Sequence, residues 1–66
     1  MTLTVNGEKK NFPAGLTLAG LLESLQLTPG RLACEVNREI VRRADCAATV
    51  LKNGDEIEVV QMIGGG

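Results

Sequence analysis

Between two chain breakers, Pro13-Ala14-Gly15 and Thr28-Pro29-Gly30, lies a stretch with a clear helical apolar period. Leu18, Leu21, Leu22 and Leu25 fall at i, i+3, i+4 and i+7, a single stripe that needs a partner surface. One helix with one apolar face leaves few small folds open, and the simplest lays it across one face of a sheet. Thr17 is placed to cap a helix from about Leu18 to Leu25 or Gln26. Leu16 and Leu21 stand where a hydrophobic staple would fix how the chain approaches that helix. Gly20 costs roughly 1 kcal/mol relative to Ala in a helix interior, which close packing against the sheet would justify.

Short alternating segments supply the sheet. Met1 to Val5 places Leu3 and Val5 on one side and Thr2 and Thr4 on the other. Asn6-Gly7 is a strong hairpin signal, because both central positions of a type I′ turn need positive φ. A second strand is expected from about Glu8 to Phe12, its charged residues outward. Leu32 to Val36 puts Leu32, Cys34 and Val36 on one face; Asn37-Arg38 turns the chain and Glu39-Ile40-Val41 pairs back. Asp45 is a candidate cap for a helical turn over Cys46 to Ala48, followed by Val50-Leu51. Asn53-Gly54-Asp55 delivers the chain into the last strand. The expected fold is α+β: a mixed sheet of four to five strands, one main helix on one face, and a core of Leu3, Val5, Cys34, Val36, Ile57 and Val59 meeting the leucine stripe. The opposite sheet face is left bare as a docking surface.

The last strand is the most unusual segment. Ile57 and Val59 alternate with Glu56 and Glu58, then Val60, Met62 and Ile63 add apolar surface on both sides, and the sequence closes on Gly64-Gly65-Gly66. Glycine has no Cβ, fits narrow channels and costs the most entropy to order, so such a tail adds little to a fold. Frayed termini are also small in composition. The direct join of an apolar segment to the glycines, with no polar spacer, favours a tail threaded into another protein's active site.

Composition removes several alternatives. At 66 residues with a hydrophobic fraction of 44% and one aromatic, Phe12, the chain has one small aliphatic core and no room for a catalytic cleft. Its net charge of −1 argues against nucleic acid as a partner. Arg38, Arg42 and Arg43 read as a solvated face or the rim of a protein contact. No apolar run reaches membrane-spanning length and no secretion signal is present, so a cytoplasmic setting is expected. Cys34 and Cys46 read as reduced, small hydrophobes. Histidine is absent, so neither a metal set nor a nucleophile beside a base is available.

Val5-Asn6-Gly7, Val36-Asn37-Arg38-Glu39-Ile40-Val41 and Asn53 to Val60 running into Ile63-Gly64-Gly65-Gly66 together resemble the thiamine sulfur carrier proteins, the ThiS family, within the ubiquitin-like β-grasp proteins. The resemblance covers essentially the whole chain, 1–66, as a single domain, and implies a flexible tail over 63–66. It implies that the carboxylate of Gly66 is adenylated by an E1-like adenylyltransferase and converted to a thiocarboxylate. The sulfur comes from a cysteine desulfurase system and goes to thiazole synthase. On this reading the chain is a carrier and not an enzyme, holds no cofactor of its own, and leaves ATP to its partner. Gly64, Gly65, Val60, Met62 and Ile63 are the candidate partner contacts. Two departures stand out: Cys46 where relatives often carry an aromatic side chain, and Arg42-Arg43 where a Pro is common. A carrier for a molybdopterin- or cysteine-type pathway, a ubiquitin-like modifier of lysines, and an interaction module with an inert tail remain as alternatives.

Overall fold

A computed structural model describes residues 1–27 and 32–61. The elements run β1 (Thr2–Val5), β2 (Glu8–Asn11), α1 (Leu18–Ser24), β3 (Leu32–Val36), β4 (Glu39–Val41), a 3-10 helix (Arg43–Ala48) and β5 (Glu56–Gln61). The sheet has five strands in the order β2-β1-β5-β3-β4. β1 and β5 are parallel, and the other neighbours are antiparallel. The last strand is therefore the central one. It is held between the first strand and the third.

Each turn follows from its residues. Asn6 (φ 49°) and Gly7 (φ 83°) both take positive φ, the type I′ geometry that joins β1 to β2. Asn37 (φ 52°) and Arg38 (φ 70°) repeat it between β3 and β4, with a side-chain-bearing residue where glycine would be unstrained. Thr17 caps α1 as expected, its Oγ1 accepting from the Gly20 amide at 3.1 Å. The helix stops at Ser24, a little earlier than the apolar stripe suggests, because Leu25 serves as its C-cap and Gln26 turns to φ 61°. β2 likewise ends at Asn11, although Phe12 still bonds Met1 in both directions, at 2.8 Å and 2.7 Å.

Two local expectations are corrected. Gly20 does not answer to the sheet. A Cβ there would lie 2.9 Å from Leu16 Cδ1 and 3.4 Å from Thr17 Oγ1, so the crowding comes from the approach to its own helix. Asp45 does not cap a helical turn. The 3-10 helix begins at Arg43 without a side-chain cap, and Asp45 sits inside it, its carbonyl accepting from Thr49 Oγ1 at 2.8 Å.

The core lies between α1 and one sheet face. Leu3, Val5, Cys34 and Ile57 from the sheet meet Leu18, Leu21 and Leu22 from the helix, all buried. Val36, Val59 and Leu25 pack against them half-buried. Cys46 and Leu51 close the side, both buried and beyond what the leucine stripe implied. The Leu51 amide donates to the Leu16 carbonyl at 2.9 Å and the Leu18 amide to the Thr49 carbonyl at 2.8 Å. These bonds tie the segment after the 3-10 helix to the start of α1.

Asn37 binds the second hairpin to the start of β5. Its Oδ1 accepts from the Glu56 amide at 3.0 Å and its Nδ2 donates to Asp55 Oδ1 at 2.9 Å. Asn37→Ala removes both bonds and places a Cβ-bearing residue with no local partner in the left-handed region. A loss of about 1–2 kcal/mol is expected, read from the midpoint of a urea titration.

Candidate functional site

The face of β5 turned away from α1 carries Glu56, Glu58 and Val60, all exposed. On β3 the matching residues are Ala33, exposed, and Glu35, half-buried. Register aligns them in rows: Ala33 opposite Val60, and Ile40 of β4 opposite Glu35, which is opposite Glu58. Ile40 is 77% exposed and Val60 57%, large apolar side chains left in water on a sheet face that no described helix covers. Together with the Cys34 strand position these residues line a shallow groove of about 150 Å³.

The electrostatics are one-sided. Glu35 and Glu58 face each other directly across antiparallel strands, an arrangement that costs stability. Neither forms an ion pair among the described residues, where the pair found joins Lys10 to Glu8 on β2 at 3.9 Å. An apolar groove with two facing carboxylates suits a protein surface that brings an apolar side chain and a cation. Arg38, Arg42 and Arg43 are exposed, lie at the hairpin turn and the start of the 3-10 helix, and do not line this groove.

Of the residues singled out from sequence, Val60 is placed on this face. Met62, Ile63, Gly64, Gly65 and Gly66, with the expected flexible tail, lie outside the described residues. Ile40, Ala33, Glu35 and Glu58 were not anticipated as a group. Their signal is the off-phase alternation of β3 and β4, legible only once the strand register is known.

The cysteines belong to the core. Both are free, with Cys34 3% and Cys46 5% exposed. Burial pushes both thiols above their ordinary range, helped by Cys46 beside Cys34 and by Asp45 beside Cys46. A buried, protonated thiol is a poor nucleophile. Labelling by an uncharged maleimide is expected to be at least tenfold slower in the native protein than in urea. The raised folded-state pKa has a second consequence. Its stabilisation is complete below the unfolded thiol pKa and is lost as pH climbs through the folded value, so this contribution to thermal stability should be lost on the alkaline side.

Among the described residues, no group of three or more His, Cys, Asp or Glu could hold a metal ion, and no helix is long and apolar enough to cross a membrane.

The model of the ThiS family matches residues 2–66, both sheet faces and the glycine end included. The chain belongs to the ThiS family. This ThiS-family chain is 33% identical over 66 residues to the sulfur carrier protein ThiS of Escherichia coli, all of both chains being covered. The crystal structure of a thiamine biosynthesis protein (ThiS) from Geobacter metallireducens superposes with a TM-score of 0.86 at 33% identity over all of both chains. The fold is thus the ubiquitin-like β-grasp of that family. A thiazole synthase of Magnetococcus marinus is 47% identical over 66 residues, all of this chain and 20% of the larger protein. This chain spans a fifth of the length of the thiazole synthases it matches.

Proposed function

We propose that this protein carries sulfur for thiazole formation in thiamine biosynthesis, on the carboxylate of Gly66. The observation that carries the reading is the family match running unbroken through Gly66, downstream of a central β5. A carboxylate resists nucleophiles because its leaving group would be an oxide. Attack of a Gly66 carboxylate oxygen on the α-phosphorus of ATP, held by an E1-like adenylyltransferase, expels pyrophosphate and leaves an acyl-adenylate. A persulfide, charged by a cysteine desulfurase system, then attacks the acyl carbon and AMP departs with the bonding electrons. Cleavage of the S–S bond by a second thiol frees the thiocarboxylate, which thiazole synthase takes up.

The carrier's own residues supply presentation. Gly64, Gly65 and Gly66 have no Cβ to obstruct a narrow nucleotide site, while Met62, Ile63 and Val60 offer apolar contacts beside it. The buried thiols of Cys34 and Cys46 are poorly suited to supply the sulfur themselves. Thiazole synthase as recipient is supported by the relatives in which a domain like this chain forms part of that polypeptide.

We assign the groove of Ala33, Ile40 and Val60 with Glu35 and Glu58 to docking of the E1-like enzyme. Ile40→Asp is expected to weaken that binding about tenfold or more, as for a truncated hot spot, and to change stability by no more than about 1 kcal/mol. Isothermal titration beside a urea curve checks both. The reaction itself is tested by pyrophosphate release on mixing carrier, E1-like enzyme and ATP. Release that depends on carrier supports the reading, and release that is absent at saturating carrier removes it.

A further inference from the structure

β1 and β5 run side by side over two residue pairs, Thr4 with Glu56 and Val5 with Ile57, yet β5 continues to Gln61. On its other edge β5 stays paired with β3 to the end, Gln61 opposite Leu32. Main-chain groups of successive strand residues point to alternate edges. The Glu56 carbonyl accepts from the Asn37 amide at 2.7 Å and sets the phase toward β3. Glu58 and Val60 therefore bond β3, whereas Ile57, Val59 and Gln61 turn their amides and carbonyls toward β1. The Ile57 carbonyl accepts from the Asn6 amide at 2.9 Å, and the Val59 amide donates to Asn6 Oδ1 at 2.8 Å.

There the pairing ends. The Asn6-Gly7 turn carries the chain away, and the Asn6 side chain closes the ladder in place of another strand residue. The Val59 carbonyl and the Gln61 amide have no hydrogen-bond partner among the described residues. The sheet carries a notch beside the second half of its central strand. The outer edges are blunted: β2 bears Lys9 and Lys10, and β4 is three residues long. The notch has neither device, since Val59-Val60-Gln61 holds no charge and no proline.

We propose that this notch receives an extended strand of thiazole synthase, which adds to β5 through the Val59 carbonyl and the Gln61 amide. The proposal rests on the sulfur-carrier reading. An acceptor and a donor two residues apart on one edge are what an added strand recognises. Pairing here grips the chain immediately before Met62, next to the segment that carries the transferred group. The occupant is argued from the thiazole synthases in which a domain like this one makes up a fifth of the polypeptide. In such a chain the covalent link raises the effective concentration of the remainder's strands around this domain.

Amide hydrogen exchange and titration calorimetry with purified thiazole synthase test this on the full chain. Gln61→Pro deletes the amide that faces the notch and leaves the β3 pairing of Glu58 and Val60 in place, whereas Gln61→Ala keeps that amide. The Gln61 amide is expected to exchange freely in the carrier alone and to be protected in the complex. The dissociation constant is expected to rise at least tenfold for Gln61→Pro and to stay within twofold for Gln61→Ala. Equal exchange at Gln61 in free and bound carrier overturns the proposal, and that readout uses the unaltered chain should the proline variant fold poorly. Equal affinities of two folded variants, or no binding at all, also overturn it. Sulfur loading of Gly66 is read separately by mass, so loss of strand docking is distinguishable from loss of the carrier function.

Discussion

Leu21→Ala is expected to lower the free energy of unfolding by about 2–5 kcal/mol. Leu21 is fully buried at the centre of the stripe that α1 presses on the sheet. The single aromatic, Phe12, is half-buried at the margin, so no large side chain stands ready to fill the space. A domain of 66 residues has roughly 3–10 kcal/mol of stability in all. The substitution would therefore remove a large share of it and shift the urea midpoint well below that of wild type. Urea titrations at two wavelengths check this. A midpoint unchanged from wild type would take Leu21 out of the core.

Deleting Gly66 is expected to abolish sulfur loading while leaving stability within about 0.5 kcal/mol of wild type. The shortened chain still ends on a glycine carboxylate, so the reacting group keeps its chemistry and loses only its reach. One extended residue spans about 3.3–3.6 Å. Reacting atoms must come within about 3–3.5 Å, and a misplacement of about 1 Å can cost 10²-fold. A shift of a whole residue should thus remove activation below detection. Comparing pyrophosphate release by the two chains at equal concentration gives the answer. Equal rates would show that the site tolerates a shorter tail and would move the chemistry off Gly66.

Much of the fold is legible because local signals agree with one another. The leucine stripe, the Thr17 cap, the Asn6-Gly7 turn and the alternation of Leu3 and Val5 each read correctly, and together they leave one helix on a mixed sheet. Local errors arise where a residue has two roles. Asp45 looks like a cap but lies inside a 3-10 helix whose start is set by the backbone at Arg42. Gly20 looks like a sheet contact, yet its neighbour is Leu16, a residue that sequence spacing assigned to a staple. Cys46 and Leu51 enter the core through the Thr49 and Leu51 backbone bonds to α1, which no periodicity announces.

The site divides differently. The glycine end is visible as composition alone, and Val60, read as added apolar surface before it, stands exposed on the outer face of β5. Ile40 and the Glu35–Glu58 pair become neighbours only through the registers of β3 with β4 and β5. Register is fixed by the burial of the opposite face, so outer-face partners follow from the packing of Cys34, Val36 and Ile57. The notch at Val59 and Gln61 is further removed still, because it depends on where β1 stops.

The central claim is that Gly66 carries sulfur, and the intact mass of the protein tests it most directly. The untagged chain is incubated with its E1-like adenylyltransferase, ATP and a cysteine desulfurase with cysteine, then weighed whole and after digestion. The expected result is a gain equal to one oxygen replaced by sulfur, confined to the C-terminal peptide and absent from the chain lacking Gly66. A terminus that keeps its oxygen after complete incubation, with every partner shown active on a known carrier, would contradict it.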